Sequence, residues 1–94
     1  MIQSFNDQRA EQLMRGRRVI ELVNIEDQAR TRLIRLDSAT SLEDLRALRG
    51  NRLEALAGNR KGQFSIRIND QYRICFKWNV DEKGPRDVEI TDYH

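Results

Sequence analysis

Ninety-four residues, 38% of them apolar and 34% charged, suit a single domain over residues 1–94 with a modest core and a well-solvated surface. One cysteine, Cys75, excludes an intrachain disulfide and a cysteine metal cage, and a lone histidine leaves no zinc site and no cofactor to expect. No apolar run reaches the length of a signal core or a membrane span, so the chain reads as cytoplasmic, with no membrane partner.

The net charge of +2 conceals an asymmetry. Between residues 51 and 80, Arg52, Arg60, Lys61, Arg67, Arg73 and Lys77 stand against only Glu54 and Asp70, whereas residues 81–94 are predominantly acidic. A basic stretch inside a near-neutral chain points to a polyanion, RNA first among them. The plainer alternative is a solvated surface that happens to be basic.

In chain order, Met1–Phe5 reads as a short edge strand. Asn6 or Asp7 can cap a helix over Gln8–Arg15 that buries Ala10, Leu13 and Met14, and Gly16 stops it. Arg17–Val23 is open between helix and extended connection. Asn24 is a cap for the strongest helix, Ile25 to Asp37, in which Ile25, Ala29, Leu33 and Leu36 recur at helical spacing. Thr40-Ser41-Leu42-Glu43 reads as a capping box that opens a short helix, with Leu42, Leu45 and Leu48 on its apolar side.

After Gly50 the period changes from helical to alternating. Arg52–Leu56 reads as a short strand and Gly58-Asn59-Arg60-Lys61-Gly62 as a basic turn. Phe64, Ile66 and Ile68 alternate with Ser65 and Arg67. Tyr72, Ile74, Phe76 and Trp78 alternate with Arg73, Cys75 and Lys77. A loop with Gly84-Pro85 leads to a last strand, with Val88 and Ile90 inward, that runs into Asp92-Tyr93-His94. The expected fold class is α+β: a twisted antiparallel sheet with helices on one face.

Residues opposite one another in an antiparallel pair share a face. A three-residue loop, Asn69-Asp70-Gln71, pairs Ile68 with Tyr72, Ile66 with Ile74 and Phe64 with Phe76, whereas a two-residue loop mixes the faces. The chosen register sets Arg67 against Arg73. Like charges so placed repel, by up to about 1 kcal/mol, unless they share an anion. The last strand then brings either Tyr93 or Thr91 opposite Arg73, and in both registers Tyr93 falls on the arginine face. Arginines beside an aromatic are what single-stranded RNA recognition uses, with forks for phosphates and a ring for a base. The plainer readings are that Tyr93 is a surface aromatic, that Arg73 or Lys77 pairs with Glu89, and that Cys75 is packing.

The strings Gly50-Asn51-Arg52-Leu53-Glu54-Ala55-Leu56, Gly58-Asn59-Arg60-Lys61-Gly62-Gln63, Ser65-Ile66-Arg67, Asn69-Asp70-Gln71-Tyr72-Arg73-Ile74-Cys75-Phe76 and Asp92-Tyr93-His94 resemble the HigB branch of the RelE/ParE toxin superfamily. The resemblance covers nearly the whole chain. It implies a microbial-RNase fold and the toxin of a type II toxin–antitoxin pair that cleaves mRNA in the ribosomal A site. It also implies neutralisation by a HigA-type helix-turn-helix antitoxin, with DNA contacted only through that partner. The exposed face of the Ile25–Asp37 helix and the N-terminal segment are candidate docking surfaces for it. Relatives place His where this chain has Glu54 and Lys where it has Ala57, which implies a mild toxin. A non-catalytic RNA- or ribosome-binding module, or a gyrase-directed ParE-like toxin, is the competing reading.

Metal-free RNA cleavage needs a base for the 2′-hydroxyl, a cation for the phosphate and an acid for the leaving 5′-oxygen. The expected catalytic residues are His94 as acid, since the unperturbed pKa of an imidazole near ~6.5 suits proton transfer, Glu54 as base, Arg73 on the phosphate and Tyr93 against the nucleotide. Arg60, Lys61, Arg67, Lys77 and Asp92 are the expected RNA-binding or tail-positioning set.

Overall fold

A computed structural model describes residues 1–92; the expectations placed on Tyr93 and His94 lie outside the described residues. Helix α1 is Gln8–Met14, α2 is Glu26–Ser38 and α3 is Leu42–Arg46, followed by strands β1 (Glu54–Ala55), β2 (Gln63–Arg67), β3 (Tyr72–Lys77) and β4 (Arg86–Asp92). The strands form one antiparallel sheet in the order β1-β2-β3-β4. No helix among the described residues is long and apolar enough to cross a membrane.

Helices and sheet meet through the alternating apolar positions. Ile66, Ile68, Ile74, Phe76, Trp78, Val88 and Ile90 pack with Ala10, Leu13, Ala29, Leu33, Leu36 and Leu45 in one buried cluster. This leaves the opposite sheet face to Ser65, Arg67, Arg73, Cys75, Lys77, Glu89 and Thr91. The hairpin has the register that equalises the faces: Phe64 opposes Phe76, Ile66 opposes Ile74 and Arg67 opposes Arg73. Its loop is held by Asn69, whose Oδ1 accepts from the backbone N–H groups of Gln71 (2.9 Å) and Tyr72 (2.8 Å).

Of the two registers open to β4, the structure has Arg73 opposite Thr91, with Ile74 opposite Ile90 and Cys75 opposite Glu89. The next pair is Lys77 with Arg86, so Asp87 and Val88 together face Phe76. This is a bulge, and Asp87 adopts the left-handed conformation it requires (φ 52°).

The N-terminal segment is not a ladder strand. It makes a single parallel bridge, Phe5 to Val88, because Asp7, two residues on, caps α1 and turns the chain away. It nevertheless closes the free edge of β4. Val88 N–H donates to Ser4 O (3.1 Å) and Asn6 N–H to Val88 O (3.0 Å). Beyond them Asp7 Oδ2 accepts from Ile90 N–H (3.0 Å) and Arg9 Nη2 donates to Ile90 O (3.0 Å). Arg9 and Asp7 also pair directly, and that hydrogen bond is the main reason the Arg9 guanidinium is held above its ordinary range. An exposed edge strand invites pairing with another chain, and this fork and strap prevent it. The strap runs so close to the turn before β4 that a Cβ on Gly84 would stand 1.9 Å from Met1 O.

Four local expectations need correction. The ambiguous stretch is a 3₁₀ turn, Ile20–Ile25, and it feeds α2 directly. Asn24 is therefore inside that turn and caps nothing; Glu26 N–H bonds to Val23 O, so the turn's own carbonyl replaces a side-chain cap. The capping box is shifted by one residue: Ser41 is the cap, and Asp44 returns the bond to Thr40 N–H (2.8 Å). Leu48 is exposed because α3 stops at Arg46. Finally, the strand expected over Arg52–Leu56 is only Glu54–Ala55, because Arg52 takes a left-handed conformation (φ 44°, ψ 56°) that no strand accommodates.

Candidate active site on the open sheet face

The register assembles one row across the whole sheet. Glu54 opposes Ser65, Ser65 opposes Cys75 and Cys75 opposes Glu89, so these four side chains share the open face. The two acids flank the row, and Ser65 and Cys75 between them are fully buried although no helix covers them. Arginine side chains lie against this row from either end.

Arg73 leans onto it from the neighbouring row. Its Nε donates to Ser65 Oγ (2.7 Å), its Nη2 donates to Arg52 O (2.7 Å), and its Nη1 lies 3.8 Å from Glu54 Oε1. The side chain is 11% exposed, while Glu54 is 56% exposed and faces solvent. Arg60 reaches in from the turn at Gly58–Arg60. Its Nη1 donates to Glu89 Oε1 and to Gln63 Oε1 (3.0 Å). Glu89 also accepts from Asn6 Nδ2 (3.2 Å), which ties the strap to the same cluster. Arg60, Arg73 and Asp92 each have further interactions beyond these. Thr91, directly opposite Arg73, donates from Oγ1 to Cys75 Sγ (3.4 Å).

The structure therefore brings Arg73, Glu54 and Arg60 onto one row and its borders. It separates the others. Arg67 opposes Arg73 as expected, but the two take different partners among the described residues: Arg67 turns to Asp70 in the loop, whereas Arg73 turns to Ser65, the Arg52 carbonyl and Glu54. The Arg67 backbone carbonyl accepts from Arg32 Nε (3.1 Å), and burial, then Arg35 and Arg67, push the Arg32 guanidinium below its ordinary range. Lys77 lies four residues along β3 from Arg73, roughly 13 Å away, and pairs with Asp87 (3.4 Å) rather than with Glu89. Asp92 opposes Tyr72, so its parity is that of the helix-covered face, and it accepts from Gln71 Nε2 (3.2 Å). Lys61 is exposed and follows the 3₁₀ turn. Ala57 is exposed immediately before that turn. Reading from sequence missed Ser65, the Arg52 carbonyl and the Arg60–Glu89 pair. Only the parity of Ser65 and Glu89 was available to suggest the first and last; the left-handed turn at a non-glycine residue has no sequence signal.

The arrangement can hold one cation rigidly over the middle of the sheet, beside a solvent-facing carboxylate and a second arginine. An apolar groove lined by Leu42, Trp78 and Val80 contains none of these groups. A fixed cation beside a carboxylate suits the negative charge of a phosphodiester.

The profile of a family described as HigB-like toxin, the RelE-like toxin of the type II toxin–antitoxin system HigB, matches residues 3–94. The chain belongs to this family. Toxin HigB-1 of Vibrio cholerae serotype O1 (strain ATCC 39315 / El Tor Inaba N16961) is 56% identical over 43 residues, 46% of this chain and 45% of that relative. The shared stretch thus spans under half the length of the curated relative. The family's description places its members among the RelE-like toxins of type II toxin–antitoxin systems.

Proposed function

We propose that this HigB-like toxin arrests growth in the cytoplasm by cutting mRNA in the ribosomal A site, and that a HigA-type helix-turn-helix antitoxin neutralises it. The observation that carries this reading is Arg73, fixed by Ser65 and the Arg52 carbonyl beside Glu54, on the strand next to the one that leads into Asp92-Tyr93-His94. Arg73, with Arg60, neutralises the scissile phosphate as charge develops on it. Glu54, mostly exposed and close to Arg73, takes the 2′-hydroxyl proton. His94 returns a proton to the departing 5′-oxygen, and Tyr93 stacks on the nucleotide. Lys61 lines the approach of the RNA strand.

Both arginines are already partnered by acids, Arg73 with Glu54 and Arg60 with Glu89. A substrate phosphate must compete with those carboxylates, and Ala57 contributes no charge. Both features support a mild toxin that depends on the ribosome to present its substrate.

The test is to incubate the purified protein with translating ribosomes, with naked mRNA and with gyrase on supercoiled DNA, and to map cut sites. Cuts within codons on the ribosome, little cleavage of naked RNA and unaffected gyrase are expected. Ribosome binding without cutting would favour the non-catalytic module, and gyrase poisoning the ParE-like toxin. Removal of His94 alone should strongly reduce cutting while leaving the melting temperature unchanged.

A further inference from the structure

Arg73 is anchored by two acceptors that nothing assigns to the site. The first is Ser65 Oγ, 2.7 Å from Arg73 Nε, on a residue buried to 0% exposure. A serine on the uncovered face of a sheet ordinarily points to water, and this one is sealed. Arg73 sits opposite Arg67, two residues along β2 from Ser65, so its side chain must lean diagonally across the ladder to reach that hydroxyl.

The second acceptor is the carbonyl of Arg52, 2.7 Å from Nη2. That carbonyl points over the sheet because Arg52 is left-handed (φ 44°), a conformation disfavoured for a residue with a Cβ. The turn is pinned from behind by Asn51, fully buried, whose Nδ2 donates to Leu45 O (3.1 Å) at the end of α3. Nε and Nη2 are held by groups on two different elements, β2 and the turn before β1. Together they fix the plane of the guanidinium as well as its position. A single surface ion pair leaves that plane to rotate.

We propose that Ser65, together with the Arg52 carbonyl, is a positioning residue for Arg73: it sets the guanidinium plane before substrate arrives. The inference rests on the reading of Arg73 as the phosphate ligand. A donor fixed in advance costs no reorganisation in the transition state, whereas a rotating one must be ordered during the reaction. Ser65 touches no substrate in this scheme and acts only through Arg73.

The experiment measures single-turnover cleavage by the full chain on translating ribosomes, as a maximal rate and a half-saturating ribosome concentration. Ser65→Ala should lower the maximal rate about tenfold with the half-saturating concentration essentially unchanged. Ser65→Thr, which keeps the hydroxyl, should recover most of the rate. In an Arg73→Ala background, Ser65→Ala should have no further effect. Independently of activity, the Arg73 Nε–H resonance should be protected from exchange in the parent and lose that protection in Ser65→Ala. If Ser65→Ala melts early, Ser65→Cys, similar in size and a poor acceptor, makes the same comparison.

Loss of cleavage in Arg73→Ala with none in the Ser65 variants would overturn the positioning role alone. So would an equal loss from Ser65→Ala in both backgrounds. Parental cleavage by Arg73→Ala would overturn the underlying reading with it.

Discussion

The two faces of this sheet are built by opposite rules. The helix-covered face is apolar and buried over most of its extent, with Phe64 and Tyr72 partly buried at its borders, and any side chain of similar volume and polarity would serve most of it. The open face also buries side chains, Ser65 against Arg73 and Cys75 against Thr91. There the arginines donate to specific atoms: Ser65 Oγ, Arg52 O, Glu89 Oε1. The first face supplies stability by area and the second supplies direction by hydrogen bonds. The division predicts that changes to the covered face alter folding first, and that changes to the open face alter chemistry first.

Truncating the covered face should have the largest effect on stability. Phe76 is fully buried at the centre of the sheet, and Phe76→Ala should cost about 3–5 kcal/mol, read from urea unfolding. On the β4 edge, Asp7→Ala removes a helix cap and the acceptor of Ile90 N–H together. It should cost about 2 kcal/mol and expose an edge prone to self-association, measured by unfolding and by sedimentation. Gly84→Ala should cost about 1–2 kcal/mol by forcing Met1 O, and the strap with it, away from the turn before β4, and faster amide exchange at Gln3 and Val88 would report it.

The smallest effect concerns α3. Hydrogen bonds from the Thr40 hydroxyl and backbone N–H, then from Ser41, hold the Asp44 carboxyl below its ordinary value near 3.8. A depressed folded-state value means that the contribution to stability is present above the carboxylate range and fades as pH falls through it. Thermal melts at descending pH should show this fading in the parent, and Asp44→Asn should flatten it slightly. A steeper acid dependence in Asp44→Asn would contradict the assignment.

Legibility followed the same division. Strict alternation from Phe64 to Trp78 fixed the hairpin register, since only a three-residue loop keeps Ile66 with Ile74 and Arg67 off the covered face. The choice of Arg73–Thr91 over Arg73–Tyr93 was not legible, because the bulge at Asp87 breaks the count between Trp78 and β4. Candidate cations were visible as residue types, but not their partners. Arg67 faces Arg73 as the alternation predicts, yet Arg67 donates to Asp70 and Arg73 to Ser65, because long side chains choose by reach rather than by register. The backbone turn at Arg52 is the least legible element, since nothing in an arginine announces a positive φ.

The central claim is that the open face performs the chemistry and Arg73 is its focus. The most direct test is codon-resolved mRNA cleavage on translating ribosomes by Arg73→Ala, with unfolding followed on the same preparation. The expected result is cleavage reduced by about a hundredfold or more, in a protein destabilised by no more than about 1–3 kcal/mol and still folded. Cleavage at the parental rate and at the parental codons by that variant would contradict the account.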